Sequence, residues 1–154
     1  MKIGIGSDHA GFEIKKFLKE NLKKEGYEVI DFGIEIKKVV DYPDYAYKVA
    51  ENVSNGTIER GILICGTGIG MSIVANKYPE VRASLCNSIY LAKLAREHNN
   101  ANILTLGGRI VAKELAWEIT KVFLETPFLK GRHLRRIKKI KKIEEKLYGN
   151  IKSF

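Results

Sequence analysis

A cysteine followed by three alternating glycines is the stretch of the sequence with the most evident chemistry. It reads Cys65-Gly66-Thr67-Gly68-Ile69-Gly70, and Ser72 follows two residues later. Glycines let the backbone approach a ligand closely, and successive backbone N–H groups form a concave site for negative charge. A cysteine at the mouth of such a site is favoured as a thiolate. The pattern predicts a base or nucleophile beside an anion hole, and the alternative is a buried structural cysteine in a tight turn.

Histidines and polar neighbours supply the possible acid–base partners of this cysteine. Asp8 and His9 stand side by side after the first apolar run, where Asp8 could equally cap the following helix. The adjacent His9 favours a ligand-facing pair over a cap alone. His98 and Asn99 close another predicted helix, where a histidine can also simply interact with the helix dipole. The third histidine, His133, again lies beside polar residues, so none of the three is predicted on an apolar face.

Three arginines are candidates for binding a phosphate group. Arg109 follows two glycines, and Arg132 and Arg136 are four residues apart, which places them on one face of a helix. Guanidinium groups suit bidentate contacts with phosphate. A solvated basic helix is the alternative, and it fully accounts for the neighbouring lysines. Together with the cysteine loop, these residues predict proton transfer next to a carbonyl on a small phosphorylated substrate, with no metal and no cofactor.

Nucleotide and zinc sites are not favoured by the spacing of the glycines and cysteines. Residues 6–11 have the glycine spacing of a P-loop, but Phe12 stands where lysine is required. Asp31 lies where a dinucleotide-binding fold has its ribose-binding acid, without the matching glycine pattern. The sequence has no Cys-x-x-Cys pair, and Cys86 is predicted to pack in the core.

Short apolar runs alternate with amphipathic stretches, and this alternation predicts the elements that hold the candidate residues. Strands are predicted at residues 2–7, 28–32, 61–65, 81–86 and 102–106. Helices are predicted at residues 12–25, 43–52, 69–77, 88–97, 111–124 and 132–147. This order predicts a three-layer αβα, Rossmann-like, doubly wound sheet of five parallel strands with a C-terminal helical arm. Ligands of such sheets bind at the carboxyl ends of the strands, where Asp8, Cys65 and Arg109 are expected.

Length and charge predict one domain over residues 1–154 with a basic C-terminal helix and tail at about 130–154. The net charge is +9, and residues 130–154 hold ten Lys and Arg against two Asp and Glu. This segment could bind nucleic acid, although it lacks the interleaved aromatic residues of a stacking surface. The longest uncharged run, residues 61–76, is too short to cross a membrane, and no signal peptide is evident. We therefore expect a cytoplasmic protein that binds neither membrane nor nucleic acid.

Five stretches of the sequence closely resemble the type B ribose-5-phosphate isomerase family, which belongs to the larger ribose/galactose isomerase group. They are residues 6–11, 41–43, 61–77, 98–102 and 131–133, and the resemblance runs from residue 2 to about 147. It implies interconversion of D-ribose 5-phosphate and D-ribulose 5-phosphate through an enediolate, without metal. Some members use a glutamate further along the cysteine loop. Residues 72–75 contain no acid here, which leaves Cys65 as the candidate base.

The resemblance also implies a role for each candidate residue. Cys65 would move the proton between C2 and C1, and His98 would assist opening of the furanose ring. The enediolate oxygens would be bound by the Thr67 hydroxyl and by the backbone of Gly66, Gly68, Ile69 and Gly70. Asp8 and Asn99 would bind sugar hydroxyls, and the phosphate would be bound by His9, Arg132 and Arg136, with Arg109 nearby. Tyr42 and Ser72 would line the pocket.

The resemblance implies dimers or tetramers of dimers, with each active site shared between two chains. The basic C-terminal helix would then bring its arginines to the site of a neighbour. Three alternatives remain open: a six-carbon sugar phosphate such as allose 6-phosphate or galactose 6-phosphate as substrate, a nucleic-acid-binding module that uses the basic tail, and a binding protein without catalysis.

Overall fold

Five strands and six helices alternate along the chain of the computed structural model, which describes residues 1–149. The strands are β1 (Lys2–Ser7), β2 (Glu28–Asp31), β3 (Arg60–Cys65), β4 (Ala83–Leu85) and β5 (Ile103–Gly107). The helices are α1 (Phe12–Lys24), α2 (Pro43–Ser54), α3 (Ile69–Ala75), α4 (Ile89–Asn99), α5 (Lys113–Glu125) and α6 (Gly131–Tyr148). The predicted strands and helices are all present in the predicted order.

The strands form one parallel sheet in the order β2-β1-β3-β5-β4, which confirms the predicted α/β fold class. In the centre, Gly61 of β3 pairs with Ile103 of β5, and Cys65 pairs with Gly107. β4 is shorter than predicted because it lies at the sheet edge and pairs with β5 over only three residues.

The helices cover both faces of the sheet, so the structure has three layers. α1, α4 and α5 pack on one face, where Ile64 of β3 lies in the core with Leu18 and Phe123. α2 and α3 pack on the other face, where Leu63 of β3 lies with Val49. The apolar run of β3 thus fills both cores by alternation, as expected for a strand buried on both sides.

The last helix, α6, lies outside these layers as the predicted arm. Its only buried residue is His133, and its apolar side chains at Leu134, Ile140, Ile143 and Leu147 are exposed. Polar contacts hold it against the loop between α3 and β4: the Lys141 ammonium is 2.6 Å from the Glu80 carboxylate, and the Tyr148 hydroxyl donates to the Lys77 carbonyl at 3.2 Å. The end of the predicted basic tail, residues 150–154, lies outside the described residues. None of the helices within residues 1–149 is long and apolar enough to cross a membrane.

Candidate active site

The loops that follow β1, β3 and β5 meet at the carboxyl edge of the sheet. The helices after β1 and β5 turn to one face and α3 turns to the other, so a crevice opens between these strands. Backbone hydrogen bonds join the loops: the Asp8 N–H donates to the Ile64 carbonyl at 3.3 Å, and the Gly108 N–H donates to the Cys65 carbonyl at 2.7 Å. The fold therefore brings Asp8, Cys65 and Arg109 to one place, as the sequence predicted.

Cys65 ends β3 with a buried thiol that is in contact with its own loop. The Gly68 N–H donates to the Cys65 Sγ at 3.2 Å, and the Cys65 side chain is buried. Gly68 has φ +81°, a conformation that L side chains rarely adopt, and from it the chain continues into α3. The hydrogen bonds among residues 1–149 assign no acceptor to the N–H groups of Gly66 and Thr67. The loop thus presents a thiol next to unused backbone donors.

The rest of the cysteine loop carries small or exposed groups. Thr67 is exposed, and its Oγ1 accepts from the Ile69 N–H at 3.3 Å, while Ile69 itself is exposed. Tyr42 lies against Gly70 so closely that a Cβ at this glycine would be 2.5 Å from the tyrosine ring. Ser72 faces β4, where its hydroxyl donates to the Ala83 carbonyl at 3.5 Å.

The loops after β1 and β5 place further polar groups beside the cysteine loop. The Asp8 carboxylate accepts from the N–H groups of Ala10 and Gly11 at 2.9 and 3.1 Å, so Asp8 does organise the turn into α1. Arg109 is exposed, and its Nη1 is 3.3 Å from the position that a Cβ on Gly66 would take. Its guanidinium therefore lies over the beginning of the cysteine loop.

A second cluster of candidates lies around the end of α4 and the beginning of α6, while His9 lies in the loop after β1, where its Nδ1 accepts from the Val40 N–H. The rings of His98 and His133 stack with their centroids 4.2 Å apart and an interplanar angle of 6°. Asn99, Arg132 and Arg136 are exposed on the same two elements. Burial, together with the charges of His98, Arg132 and Arg136, lowers the pKa of His133, while Glu97 opposes the shift. The stacked pair thus favours a neutral His133 ring.

Within one chain, the two clusters lie at opposite ends of the strands. Cys65 is at the carboxyl end of β3, whereas His98 precedes the amino end of β5, where Ile103 pairs with Gly61. The four residue-to-residue steps from Gly61 to Cys65 span about 13 Å of extended strand. The structure therefore does not bring His98, Asn99, Arg132 and Arg136 to the cysteine loop of their own chain.

Two buried charged residues near these clusters were missed by the sequence analysis. Arg96 is 4% exposed and donates to the Thr126 carbonyl and to the Asn100 Oδ1, which ties the end of α4 to the segment before α6. Its burial and the charges of Arg60 and Arg82 lower the pKa of Arg96 to about 10. Lys15, 2% exposed, binds Asp31, so Asp31 belongs to an ion pair instead of resembling a ribose-binding acid. Both residues lie among other charged residues of amphipathic helices, which gives no sequence signal for burial.

The second cysteine, Cys86, lies in a different core from Cys65. Cys86 is fully buried in the core of the α1, α4 and α5 face, as predicted, and burial raises the pKa of its thiol. Within residues 1–149 no group of three or more His, Cys, Asp and Glu side chains could hold a metal ion.

The fold and the site define a doubly wound α/β protein with a cysteine and a glycine-rich loop at the switch point of the sheet. A family model described as Ribose/Galactose Isomerase matches residues 3–140. The chain belongs to this ribose/galactose isomerase family, and the predicted enzyme class, sugar-phosphate isomerase, is confirmed.

Relatives with known names agree with this family over nearly their whole length. The structure is similar to that of ribose-5-phosphate isomerase B from Clostridium thermocellum, with 54% identity, a TM-score of 0.93, and coverage of 96% of this chain and 99% of the other. Ribose-5-phosphate isomerase B of Escherichia coli is 44% identical over 145 residues, 94% of this chain and 97% of that protein. A D-erythrulose-4-phosphate isomerase of Pectobacterium atrosepticum is 40% identical over 141 residues, 91% of this chain and 93% of that protein. The family thus includes enzymes named for sugar phosphates of different length.

Proposed function

We propose that this protein interconverts D-ribose 5-phosphate and D-ribulose 5-phosphate through a cis-enediolate, with the Cys65 thiolate as base. The observation that carries the proposal is the Cys65 Sγ, 3.2 Å from the Gly68 nitrogen and beside the free backbone donors of the loop. The Cys65 sulfur takes the proton, and the backbone N–H groups stabilise the negative charge that this creates on the substrate. Aldose–ketose isomerisation needs both a base and stabilisation of the negative charge, because a proton moves between two adjacent carbon atoms.

The proton transfer is balanced within the substrate. Cys65 removes the proton from C2 of the open-chain aldose, and the electron pair moves through C1 towards the carbonyl oxygen to give the enediolate. The N–H groups of Gly66 and Thr67 and the Thr67 hydroxyl donate to its oxygens, with Gly68 and Gly70 keeping the loop close. A proton then moves from the C2 hydroxyl oxygen to the C1 oxygen of the enediolate, the C2 carbonyl forms as the proton on sulfur is delivered to C1, and this yields the ketose and regenerates the thiolate. This cycle consumes no cofactor and requires no metal.

The other candidate residues bind the sugar and its phosphate group. Asp8 and Asn99 hold sugar hydroxyls, and His98 assists opening of the furanose ring. Tyr42, packed against Gly70, lines the side on which the ring opens, with the exposed Ile69 beside it, whereas the Ser72 hydroxyl is turned to β4. Phosphate is bound by His9, Arg132, Arg136 and Arg109.

A complete site of this kind needs two chains. Within one chain, His98 precedes the amino end of β5 and the α6 arginines flank His133, which stacks on it, whereas Cys65 lies at the carboxyl end of β3, about 13 Å of extended strand away. A symmetric dimer would bring the arm of one chain to the crevice of the other and would form two equal sites. We therefore propose a dimer, or a tetramer built from dimers, as the active form.

The substrate is tested by a coupled assay of the purified protein in the presence of EDTA. Ribose 5-phosphate, allose 6-phosphate and D-erythrulose 4-phosphate are compared at equal concentrations. We expect fastest turnover of the pentose. Activity on another sugar phosphate alone would keep the mechanism and overturn the pentose substrate, whereas inactivity on all three of a folded dimer would overturn the enzymatic proposal.

A substrate of different chain length is the second candidate, because one relative is named for a four-carbon sugar phosphate. The distance between the carbonyl end and the phosphate depends on the chain length, and in this protein the phosphate ligands of the arm and the base belong to separate clusters. A small change in how two chains dock would therefore alter the length that fits, and the assay above separates these substrates directly.

A further inference from the structure

Lys15 in α1 is a buried charge that the proposed reaction does not use. Its side chain is 3% exposed, and its Nζ donates to the Asp31 Oδ1 at 2.9 Å, to the Asp31 Oδ2 at 3.0 Å and to the Ile34 carbonyl at 2.6 Å. These contacts use all three donors of the ammonium group. Burial of an ammonium group is costly unless such partners compensate for the lost water. The cluster is therefore closely fixed in geometry.

Asp31, at the end of β2, is held by three donors. Besides Lys15, it accepts from the Lys19 ammonium at 2.8 Å and from the Gly33 N–H at 2.9 Å. Partial burial of the carboxyl opposes ionisation, but the hydrogen bonds from Lys19, Lys15 and Gly33 together hold the pKa of Asp31 below its ordinary value. The carboxylate thus stays charged and keeps Lys15 in place.

The Lys15 cluster fixes the beginning of the loop of residues 33–42. Ile34, whose carbonyl binds Lys15, is 3% exposed, and a Cβ at Gly33 would be 2.8 Å from the Lys15 Cδ and 2.9 Å from the Ser7 nitrogen. The middle of the loop projects into solvent, since Val39 is 86% exposed. The position of the loop is therefore set at its ends, and Lys15 sets the first of them.

The far end of the same loop contacts two residues of the proposed site. The Val40 N–H donates to the His9 Nδ1 at 3.3 Å, and Tyr42 packs against Gly70. A backbone N–H can only donate, so this contact selects the His9 tautomer that carries its ring proton on Nε2. This tautomer leaves the Nε2–H of His9 as a donor for a ligand.

We propose that Lys15 is a positioning residue that acts through the loop of residues 33–42 to hold the His9 imidazole in its Nε2–H tautomer. The link to catalysis rests on the proposed binding of the substrate phosphate by His9, while the link to the tautomer does not. Phosphate binding far from the reacting C1 and C2 contributes equally to ground state and transition state. Loss of Lys15 should therefore raise KM and leave kcat unchanged.

The test compares wild type with Lys15→Met, which removes the ammonium and keeps an apolar chain of similar length. The tautomer of each histidine is read from the NMR signals of its imidazole nitrogens. Because the chain has only three histidines, these signals can be assigned by single substitutions. We expect one Nε2–H tautomer for His9 in wild type and an average of two tautomers in Lys15→Met. We also expect KM for ribose 5-phosphate to rise about tenfold, equivalent to about 1.4 kcal/mol, with kcat within about twofold of wild type.

Lys19→Met is the matched control, because Lys19 binds the same carboxylate without touching the loop and its side chain is 34% exposed. It should leave both the tautomer and KM as in wild type. Lys15→Met combined with Asp31→Asn removes both charges and leaves no buried carboxylate with a missing partner, so it serves if the single variant does not fold. An unchanged His9 tautomer in the folded Lys15 variants, or an equal change in Lys19→Met, would overturn the proposal. Inactive wild type would contradict the proposed function and leave the tautomer experiment decisive for Lys15.

Discussion

Gly68 determines how the cysteine loop turns at the end of β3. It has φ +81°, its N–H donates to the Cys65 sulfur, and a Cβ there would lie 2.5 Å from the Leu85 side chain and 2.8 Å from the Leu106 backbone. Neither the conformation nor the space allows a side chain. The geometry of the proposed base therefore depends on a residue that has no side chain of its own.

Substitution of Gly68 should abolish activity while a comparable glycine elsewhere should not. In Gly68→Ala, the left-handed backbone costs about 1–2 kcal/mol of stability, and the added Cβ displaces the loop from Leu106. Gly56→Ala is the matched control, since Gly56 has φ +77° and nothing within 4 Å of its added Cβ. We expect thermal unfolding to show a loss of stability in both variants, and initial rates to show loss of turnover in Gly68→Ala alone. Equal activity of the two variants would contradict the account of the loop.

The sequence predicted most of the cysteine loop and little of what supports it. Residue types and spacing predicted a thiol beside backbone donors, because both features are local. Lys15 and Ile34 are 19 residues apart, and Arg96 and Thr126 are 30 apart, so their hydrogen bonds exist only after the chain has folded. A lysine or arginine on an amphipathic helix predicts a solvated face, and only tertiary structure shows which of them is buried.

Helix α6 is joined to the sheet domain at its beginning by the stacked rings of His98 and His133. The lowered pKa of His133 means that, just below the ordinary histidine pKa of 6.5, the folded protein binds fewer protons than the unfolded chain. Stability of this contact is therefore fully present above that pH and is lost as the pH falls through the window below 6.5.

This linkage is tested by thermal unfolding of wild type and His133→Phe between pH 7.5 and 5. The phenylalanine keeps a ring to stack on His98 and removes the titrating group. Unfolding is followed by the circular dichroism signal of the helices. We expect the unfolding temperature of wild type to fall more steeply with acidification than that of the variant. Identical pH dependence in the two proteins would show that His133 does not contribute the linked proton.

At the level of elements, the order of strands and helices could be predicted because hydrophobic periodicity is local. The ends of β4 could not, because the length of an edge strand depends on how far its neighbour pairs with it. The separation of the two clusters also followed from the order of elements: Asp8 and Cys65 follow strands, whereas His98 precedes one. In a parallel sheet, these positions lie at opposite edges.

At the scale of the whole molecule, one half of the proposed site lies at the carboxyl ends of the strands and the other half lies at their amino ends. The exposed apolar residues of α6 and its exposed Arg132 and Arg136 are consistent with an arm that completes a neighbouring chain. Cytoplasmic location and the single-domain extent of residues 1–154 stay predictions of the sequence.

A shared site predicts that two inactive variants restore each other. Cys65→Ala and His98→Asn damage opposite halves, so a mixed dimer has one intact site and one site with both changes. After subunit exchange at equal amounts, we expect about a quarter of wild-type turnover, because half of the dimers are mixed and half of their sites are intact. Cys65→Ala mixed with Thr67→Val is the control: both residues belong to one loop, so no intact site forms. Recovery in the control, or none in the first mixture, would contradict the two-chain site.

The central claim, that the Cys65 thiolate transfers the proton, is tested most directly by comparing the turnover of ribose 5-phosphate by wild type, Cys65→Ala and Cys86→Ala. Cys86 is the matched control, since it is a buried thiol in the other core. Removal of a general base costs roughly 10²–10⁴-fold in rate, so we expect kcat of Cys65→Ala to fall by about that factor with little change in KM, while Cys86→Ala stays active. A Cys65→Ala protein that turns over ribose 5-phosphate as fast as wild type would contradict the account.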